Sequence, residues 1–242
     1  MTRSVLPLGL IFVVGCSIAN SQSFSIIQNE ALSEDSNACV ASATATTARN
    51  RGVLDLGLVA VGGDGYNLYP LIRNNLLDRS ATVPAGTDDI AVLGLDVQLL
   101  PDAALALVLP TASRNFFAGS FGGVIGPTDE TAMGALVIPR AQALTLSDAV
   151  TADLIDAPEL TVRVRAVGTR QSEKTHSNWI TYPVQICRWC LTGGVPPACP
   201  DAGYKTTDVE KGGCGVDQDE AVTCCVNADG VTLCGADVPQ SS

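Results

Sequence analysis

A chain of 242 residues that is 46% hydrophobic holds enough apolar material for a buried core, which excludes a disordered stalk. Its net charge of -11, from 14 basic against 25 acidic residues, argues against a nucleic-acid partner and against electrostatic docking on anionic membranes. Nine cysteines point instead to an oxidising compartment.

The chain begins Met1-Thr2-Arg3-Ser4 and continues as an apolar run over 5–14, interrupted by Pro7 and Gly9. A basic start, an apolar stretch of roughly 7–15 residues and a small residue before the cut make a secretory signal, here residues 1–15. The run falls short of the about 20 apolar residues that span a bilayer, and Asp, Arg or Gly interrupts every later candidate. The closing Val13-Val14-Gly15-Cys16 resembles the lipobox of bacterial lipoproteins. That resemblance covers the first 16 residues. It implies cleavage before Cys16, acylation of its thiol and freed amine, and attachment to the membrane through that lipid. Each buried CH₂ contributes about 0.8 kcal/mol, so several acyl chains on one residue hold durably where one chain binds reversibly. Ser17 rather than Asp after the cysteine implies, by the same family's sorting pattern, an outer-membrane lipoprotein, periplasmic or surface-exposed. The alternative is an ordinary signal peptide with Cys16 placed there by chance.

Residues 16–38 are polar around an isolated Ile26-Ile27 and read as the lipidated cysteine plus a flexible tether. The body follows over 39–186. Strands are predicted over 53–61, 66–74, 90–100, 105–109, 115–125, 135–138, 160–167 and 178–187, broken by Gly, Pro, Asn and Asp. Alternation in Leu93-Gly94-Leu95-Asp96-Val97-Gln98-Leu99 and in Leu160-Thr161-Val162-Arg163-Val164-Arg165-Ala166 gives each strand one buried and one wet face. Such alternation marks antiparallel sheets. One helix is predicted from Thr145-x-x-Asp148, a capping box, with Leu146, Val150 and Leu154 on one face and Pro158 as its stop. The predicted fold is mainly β: an antiparallel sandwich, Ig-like or jelly-roll-like, with one short helix.

From 187 to 242 the composition changes to Gly, Pro, Asp and cysteine, a small module that needs cross-links to order itself. Setting Cys16 aside leaves Cys39, Cys187, Cys190, Cys199, Cys214, Cys224, Cys225 and Cys234, an even set that can pair completely. Cys39 then ties the start of the body to its end. The layout is similar to exported bacterial proteins with a β-rich body and a Cys-rich tail, a likeness that implies no activity.

Motifs that carry chemistry are sparse. Cys187-Arg188-Trp189-Cys190 has redox spacing but follows a strand rather than opening a helix, so it reads as a structural disulfide. Zinc on Cys187, Cys190, Cys224 and Cys225 is the alternative, although adjacent Cys224-Cys225 suits tetrahedral geometry poorly. Ala118-Gly119-Ser120-Phe121-Gly122 mimics the elbow of serine hydrolases, with His176, the single histidine, as its one available base. His176 lies in a polar stretch that reads as a hairpin loop. Gly62-Gly63 and the glycines over 119–126 precede no phosphate-binding Lys-Ser/Thr. The carboxylates Asp88-Asp89, Asp129-Glu130 and Asp217-Gln218-Asp219-Glu220 read as solvated loops, with Ca²⁺ or an acidic pair for hydrolysis as alternatives. Of Tyr66, Tyr69, Trp179, Tyr182 and Trp189, those left exposed would mark a binding patch and the rest core. No catalytic, cofactor or metal residue is assigned.

The expected role is a non-enzymatic interaction module of the cell envelope whose partner is a protein or polymer. An envelope hydrolase using Ser120 and His176 or an acidic pair is one alternative. A structural subunit of a surface assembly is another, and an unpaired edge strand would favour it.

Overall fold

The computed structural model describes residues 22–35, 38–41, 43, 47–147, 150, 157–199, 218–222 and 224–234. Within these residues the strands are, in chain order, β1 (Phe24–Asn29), β2 (Ser33–Asp35), β3 (Ala38–Val40), β4 (Gly52–Asp55), β5 (Gly65–Leu68), β6 (Pro70–Asn74), β7 (Ile90–Pro101), β8 (Asn115–Ile125), β9 (Glu130–Ala132), β10 (Ala135–Pro139), β11 (Glu159–Arg170), β12 (Glu173–His176), β13 (Ile180–Cys187), β14 (Cys224–Val226) and β15 (Thr232–Cys234). Two short helices, α1 (Leu56–Ala60) and α2 (Arg140–Leu146), join them.

The two alternating segments form the longest strands, β7 and β11, and they pair antiparallel at the centre of the main sheet. The order across that sheet is β4-β13-β11-β7-β8, with β12 continuing the β13 side of β11. All of its pairs are antiparallel except β13 with β4. A three-stranded sheet, β1-β6-β9, and the pair β10-β5 face it. Leu95, Val97 and Leu99 of β7 and Val162 and Val164 of β11 are buried in one core with Phe24, Tyr66, Leu68, Ile72 and Ile138 from the opposite layer. The architecture is therefore mainly β and sandwich-like, as the alternation predicts.

Several local expectations are corrected. The run over 53–61 ends as a strand at Asp55, whose Oδ1 accepts the Gly57 N–H at 2.8 Å and starts α1. The alternation in Leu54-Asp55-Leu56-Gly57-Leu58 favours a strand, and the Asp55 cap overrides it. The segment 66–74 breaks at Tyr69 into β5 and β6, which join different sheets. Residues 105–107 form a 3-10 turn, because Asp102 Oδ1 accepts the Leu105 N–H at 2.9 Å. Helix α2 begins after Pro139, not at Thr145, which lies in its last turn. Asp148 and Leu154 of the expected helix lie outside the described residues. The tether expectation fails over 24–29, where β1 pairs with β6 and buries Phe24 and Ile26. Here the pattern spans too few residues to stand out from its polar flanks. His176 ends a strand, β12, and the hairpin turn lies earlier at Gln171-Ser172, both with positive φ as a two-residue hairpin loop requires.

The tail packs onto the body. Leu58, Leu191, Val222 and Cys224 form a second small core with Val53, Trp189 and Cys190 around it. Disulfides join Cys187 to Cys190 and Cys199 to Cys225, and Cys224 is also disulfide-bonded. Cys16 and Cys214 and the side chains of Cys39 and Cys234 lie outside the described residues.

Candidate interaction surface

Strand β8 reads Asn-Phe-Phe-Ala-Gly-Ser-Phe-Gly-Gly-Val-Ile, 11 residues without a charge or a proline. Its start is fixed by Arg114, whose guanidinium donates to the carbonyls of Leu109 at 2.7 Å and Ala106 at 2.9 Å. Its end is fixed by buried Asn74, whose Nδ2 donates to the carbonyls of Ile125 at 3.0 Å and Asp88 at 2.8 Å. Between these anchors β8 pairs with β7, and it pairs with no other strand among the described residues. Among the described residues it is thus an open edge of the main sheet.

The phase of the ladder shows which groups face outward. Leu99 N donates to Arg114 O at 2.7 Å, and the register pairs Val97 with Phe116 and Leu95 with Ala118. Hydrogen-bonded pairs alternate along an antiparallel ladder. Phe116 and Ala118 therefore bond to β7, and the N–H and C=O groups of Asn115, Phe117 and Gly119 point away from the sheet. Beyond Gly119 the register shifts at a bulge. The strands meet there only because residue 94 is glycine: at φ 154, an added Cβ would lie 2.3 Å from the Ala118 carbonyl oxygen.

The solvent face beside this edge mixes apolar residues with Asp96, Gln98 and Asn115 on β7 and β8, and is basic on β11. Phe117, Val124, Leu93 and Leu100 are exposed there. On β11, Arg165 pairs with Asp96 at 2.8 Å, and the guanidinium carbons of Arg163 and Arg165 lie 4.6 and 4.8 Å from the centre of the Trp179 ring. His176 Nε2 is 3.8 Å from Asp96. Burial, aided by Arg165, lowers the histidine pKa against the pull of Asp96.

The register sets Gly119 in line with His176 through Gly94 and Val167, across three strand intervals. At about 4.8 Å each, this separates the backbones of Ser120 and His176 by roughly 14 Å. The Ser120 side chain lies outside the described residues.

The two acidic pairs meet at the far end of β8. A cleft of about 360 Å³ lies between residues 78–89 and 127–129, with Asp89 and Asp129 on its lining. Asp88 is committed to Arg79 and Arg170, at 2.6 and 2.7 Å, and the hydrogen bonds from Arg79 hold its carboxyl below the usual carboxylate range. Glu130 is committed to Arg73.

The opposite edge of the sheet, β4, is covered, which corrects the solvated-loop reading of the third acidic group. Gln218 bridges Leu54, and its side-chain amide bonds both backbone groups of Asn67, at 2.7 and 2.9 Å. Asp219 is nearly buried: it accepts from Val53 N at 2.7 Å and Tyr66 Oη at 2.9 Å, and it pairs with Arg49 at 3.2 Å. Burial raises its carboxyl pKa in spite of these donors. Arg49 also holds Glu220, at 2.6 Å. Asp217 lies outside the described residues.

Tyr66 and Tyr182 are core, and Trp189 packs against Gly57. Trp179 lies partly exposed on the outer face, although its position in the sequence resembles that of the buried tyrosines. Among the described residues, the only three potential metal-ligand atoms within 4.8 Å of one another belong to Asp55, Cys187 and Cys190. The two sulfurs are bonded to each other, and the carboxylate accepts the N–H groups of Gly57, Trp189 and Leu191. This is a clamp on the C-x-x-C turn. Cys224 and Cys225, the other two sulfurs of the zinc alternative, are also in disulfides.

The sequence places a glycine-eased strand over 115–125, with the hydrolase elbow as the alternative, but does not show that this strand lies at the sheet edge. The available signal was an 11-residue stretch without charge in an acidic chain. The chain matches no known protein family, no curated protein and no solved structure.

Proposed function

We propose that this chain is an exported interaction module of the cell envelope, held to the outer membrane by lipid on Cys16, and that it engages its partner by strand addition at β8. The observation that carries the reading is the open β8 edge, with the outward backbone groups of Asn115, Phe117 and Gly119 and no charged side chain along it. Such an edge offers main-chain hydrogen bonds to an extended segment, while the flanking side chains select its sequence. Phe117, exposed next to Asp96 and Arg165, supplies an aromatic contact on that flank. The lipobox resemblance at Val13–Cys16 supports the address, and the disulfides fit an oxidising compartment. Among the described residues no helix is long and apolar enough to cross a membrane. The same open edge supports the structural-subunit reading, which differs only in making the partner part of an assembly.

The test is affinity capture of the lipidated protein from intact envelopes, comparing the wild type with Gly119→Pro. Proline at an outward position removes an edge donor without removing a bond to β7. The expected result is one stoichiometric partner with the wild type and none with the variant. Recovery of the same partner by a folded Gly119→Pro protein refutes strand addition at this edge.

A further inference from the structure

We infer that the outer face of the main sheet binds a polysaccharide with carboxylate-bearing sugars, laid across β8, β7 and β11. Phe117 is its stacking platform and Arg163 its carboxylate contact. This site is separate from strand addition, which uses the backbone of the β8 edge. Three observations select the ligand.

The first is a ring with one free side. Phe117 is 50% exposed, and the far end of its ring lies over Gly94 and Gly119, where an added Cβ would come 2.8 Å from Cζ and 3.8 Å from Cε1. Two residues without side chains thus let the ring rest on the sheet with its other side turned to solvent. An aromatic face is apolar and electronegative, and it takes the C–H groups of a sugar ring. The second is the spacing beside that ring. The register sets Phe117, Asp96 and Arg165 in one row across three strands, and Asn115, Gln98 and Arg163 in the next. All six are exposed or half-buried. Neighbouring strands lie about 4.8 Å apart, close to the length of one sugar ring, so a chain of sugars crossing them meets a new side chain of each row at every ring. The third is charge. The guanidinium carbons of Arg163 and Arg165 lie 4.6 and 4.8 Å from the centre of the Trp179 ring, which holds the two cations side by side. Asp96 neutralises Arg165 at 2.8 Å, whereas among the described residues Arg163 bonds to the Gln98 amide oxygen alone, at 3.4 Å. Most of the N–H donors of Arg163 are therefore left for a ligand carboxylate. Exposed Lys174, two residues from His176 on β12, adds a further cation. Glu159 lies four residues from Arg163 along β11, about 13 Å away. This face is thus locally basic in a chain of net charge -11, which makes it the place for an anionic ligand. A carboxylate alone would satisfy Arg163; the open ring and the row spacing favour sugars over an acidic peptide.

The test is calorimetric titration of the full chain with alginate, polygalacturonate and hyaluronate, with neutral dextran, and with polyglutamate. The expected result is binding of a uronate polymer at least about tenfold tighter than dextran or polyglutamate. Arg163→Gln removes the charge but keeps a planar amide, and it should weaken that binding at least about tenfold. Phe117→Ala should weaken it by about as much, through loss of the stacking face. Leu77→Ser, at an exposed residue in the loop after β6, should leave it unchanged. Arg163→Gln alters one surface side chain, so it keeps the test decisive if Phe117→Ala fails to fold. Failure of all three uronate polymers to bind overturns the inference. Dextran or polyglutamate bound as tightly as the uronates overturns it too. So does uronate binding that survives either face variant in a protein whose urea unfolding shows it folded.

Discussion

Replacing Asp55 removes the clamp that joins the end of β4, the start of α1 and the C-x-x-C turn. Its carboxylate is fully buried and accepts three backbone N–H groups: Gly57 at 2.8 Å, Trp189 at 2.7 Å and Leu191 at 2.9 Å. Hydrogen bonds to a charged acceptor contribute about 1.5–3 kcal/mol each, and buried donors left without one cost about 1–3 kcal/mol. Asp55→Ala should therefore lose about 4–6 kcal/mol, a large part of the roughly 5–15 kcal/mol typical of a folded domain. Asp55→Asn separates the contributions. Oδ1 serves Gly57 and Trp189, so an amide oxygen placed there keeps two bonds, while the amide NH₂ meets the Leu191 N–H donor to donor. That variant should lose about 2–3 kcal/mol. The assay is urea unfolding of the oxidised protein, followed by tryptophan fluorescence, since Trp189 packs against Gly57. Losses below about 1 kcal/mol for both variants would refute the clamp. Equal losses would refute the division of labour between its two oxygens.

Gly94→Ala should destabilise by at least about 2 kcal/mol, since the added methyl meets the Ala118 carbonyl oxygen at 2.3 Å and the backbone sits at φ 154; thermal unfolding reads it. Asp88 has its carboxyl pKa lowered by Arg79, so its contribution to stability is present above the ordinary carboxylate pKa of 3.8 and is lost as pH falls through the lowered value. Asp88→Asn should flatten that acid limb of a stability-against-pH curve. Asp219 has the opposite sign. Burial raises its pKa, so its contribution is full below 3.8 and declines as pH rises through the raised value, a trend that Asp219→Asn should remove. Phe117→Lys should destabilise the fold by about 1 kcal/mol, because half of the side chain is covered and its ring lies over Gly94 and Gly119; urea unfolding reads it.

The central sheet was legible because β7 and β11 each contain seven alternating residues, 93–99 and 160–166, long enough for a period of two to dominate. β8 was placed with its observed bounds, but its position at the edge was not, because no local pattern records which strand lies beside which. The errors cluster where one side chain redirects the backbone. Asp55 and Asp102 each start a helical turn inside an apolar run that reads as strand. The acidic run at 217–220 looked solvated because the partners of Asp219, namely Val53, Tyr66 and Arg49, lie more than 150 residues away. Composition showed the cysteines as a cross-linked set, whereas the pairing of Cys199 with Cys225 depends on where β14 lies.

The main sheet is asymmetric at its two ends. Gln218, Asp219 and Glu220 close the β4 edge from within the same chain, and β8 is left open. A sheet with two open edges can add copies indefinitely and grow into a fibre. With β4 covered from within the chain, one of the places where a further strand could add to the main sheet is closed. Residues 218 and 219 thus shield the β4 edge, and a chain that lost them should expose its backbone groups at Val53 and Leu54.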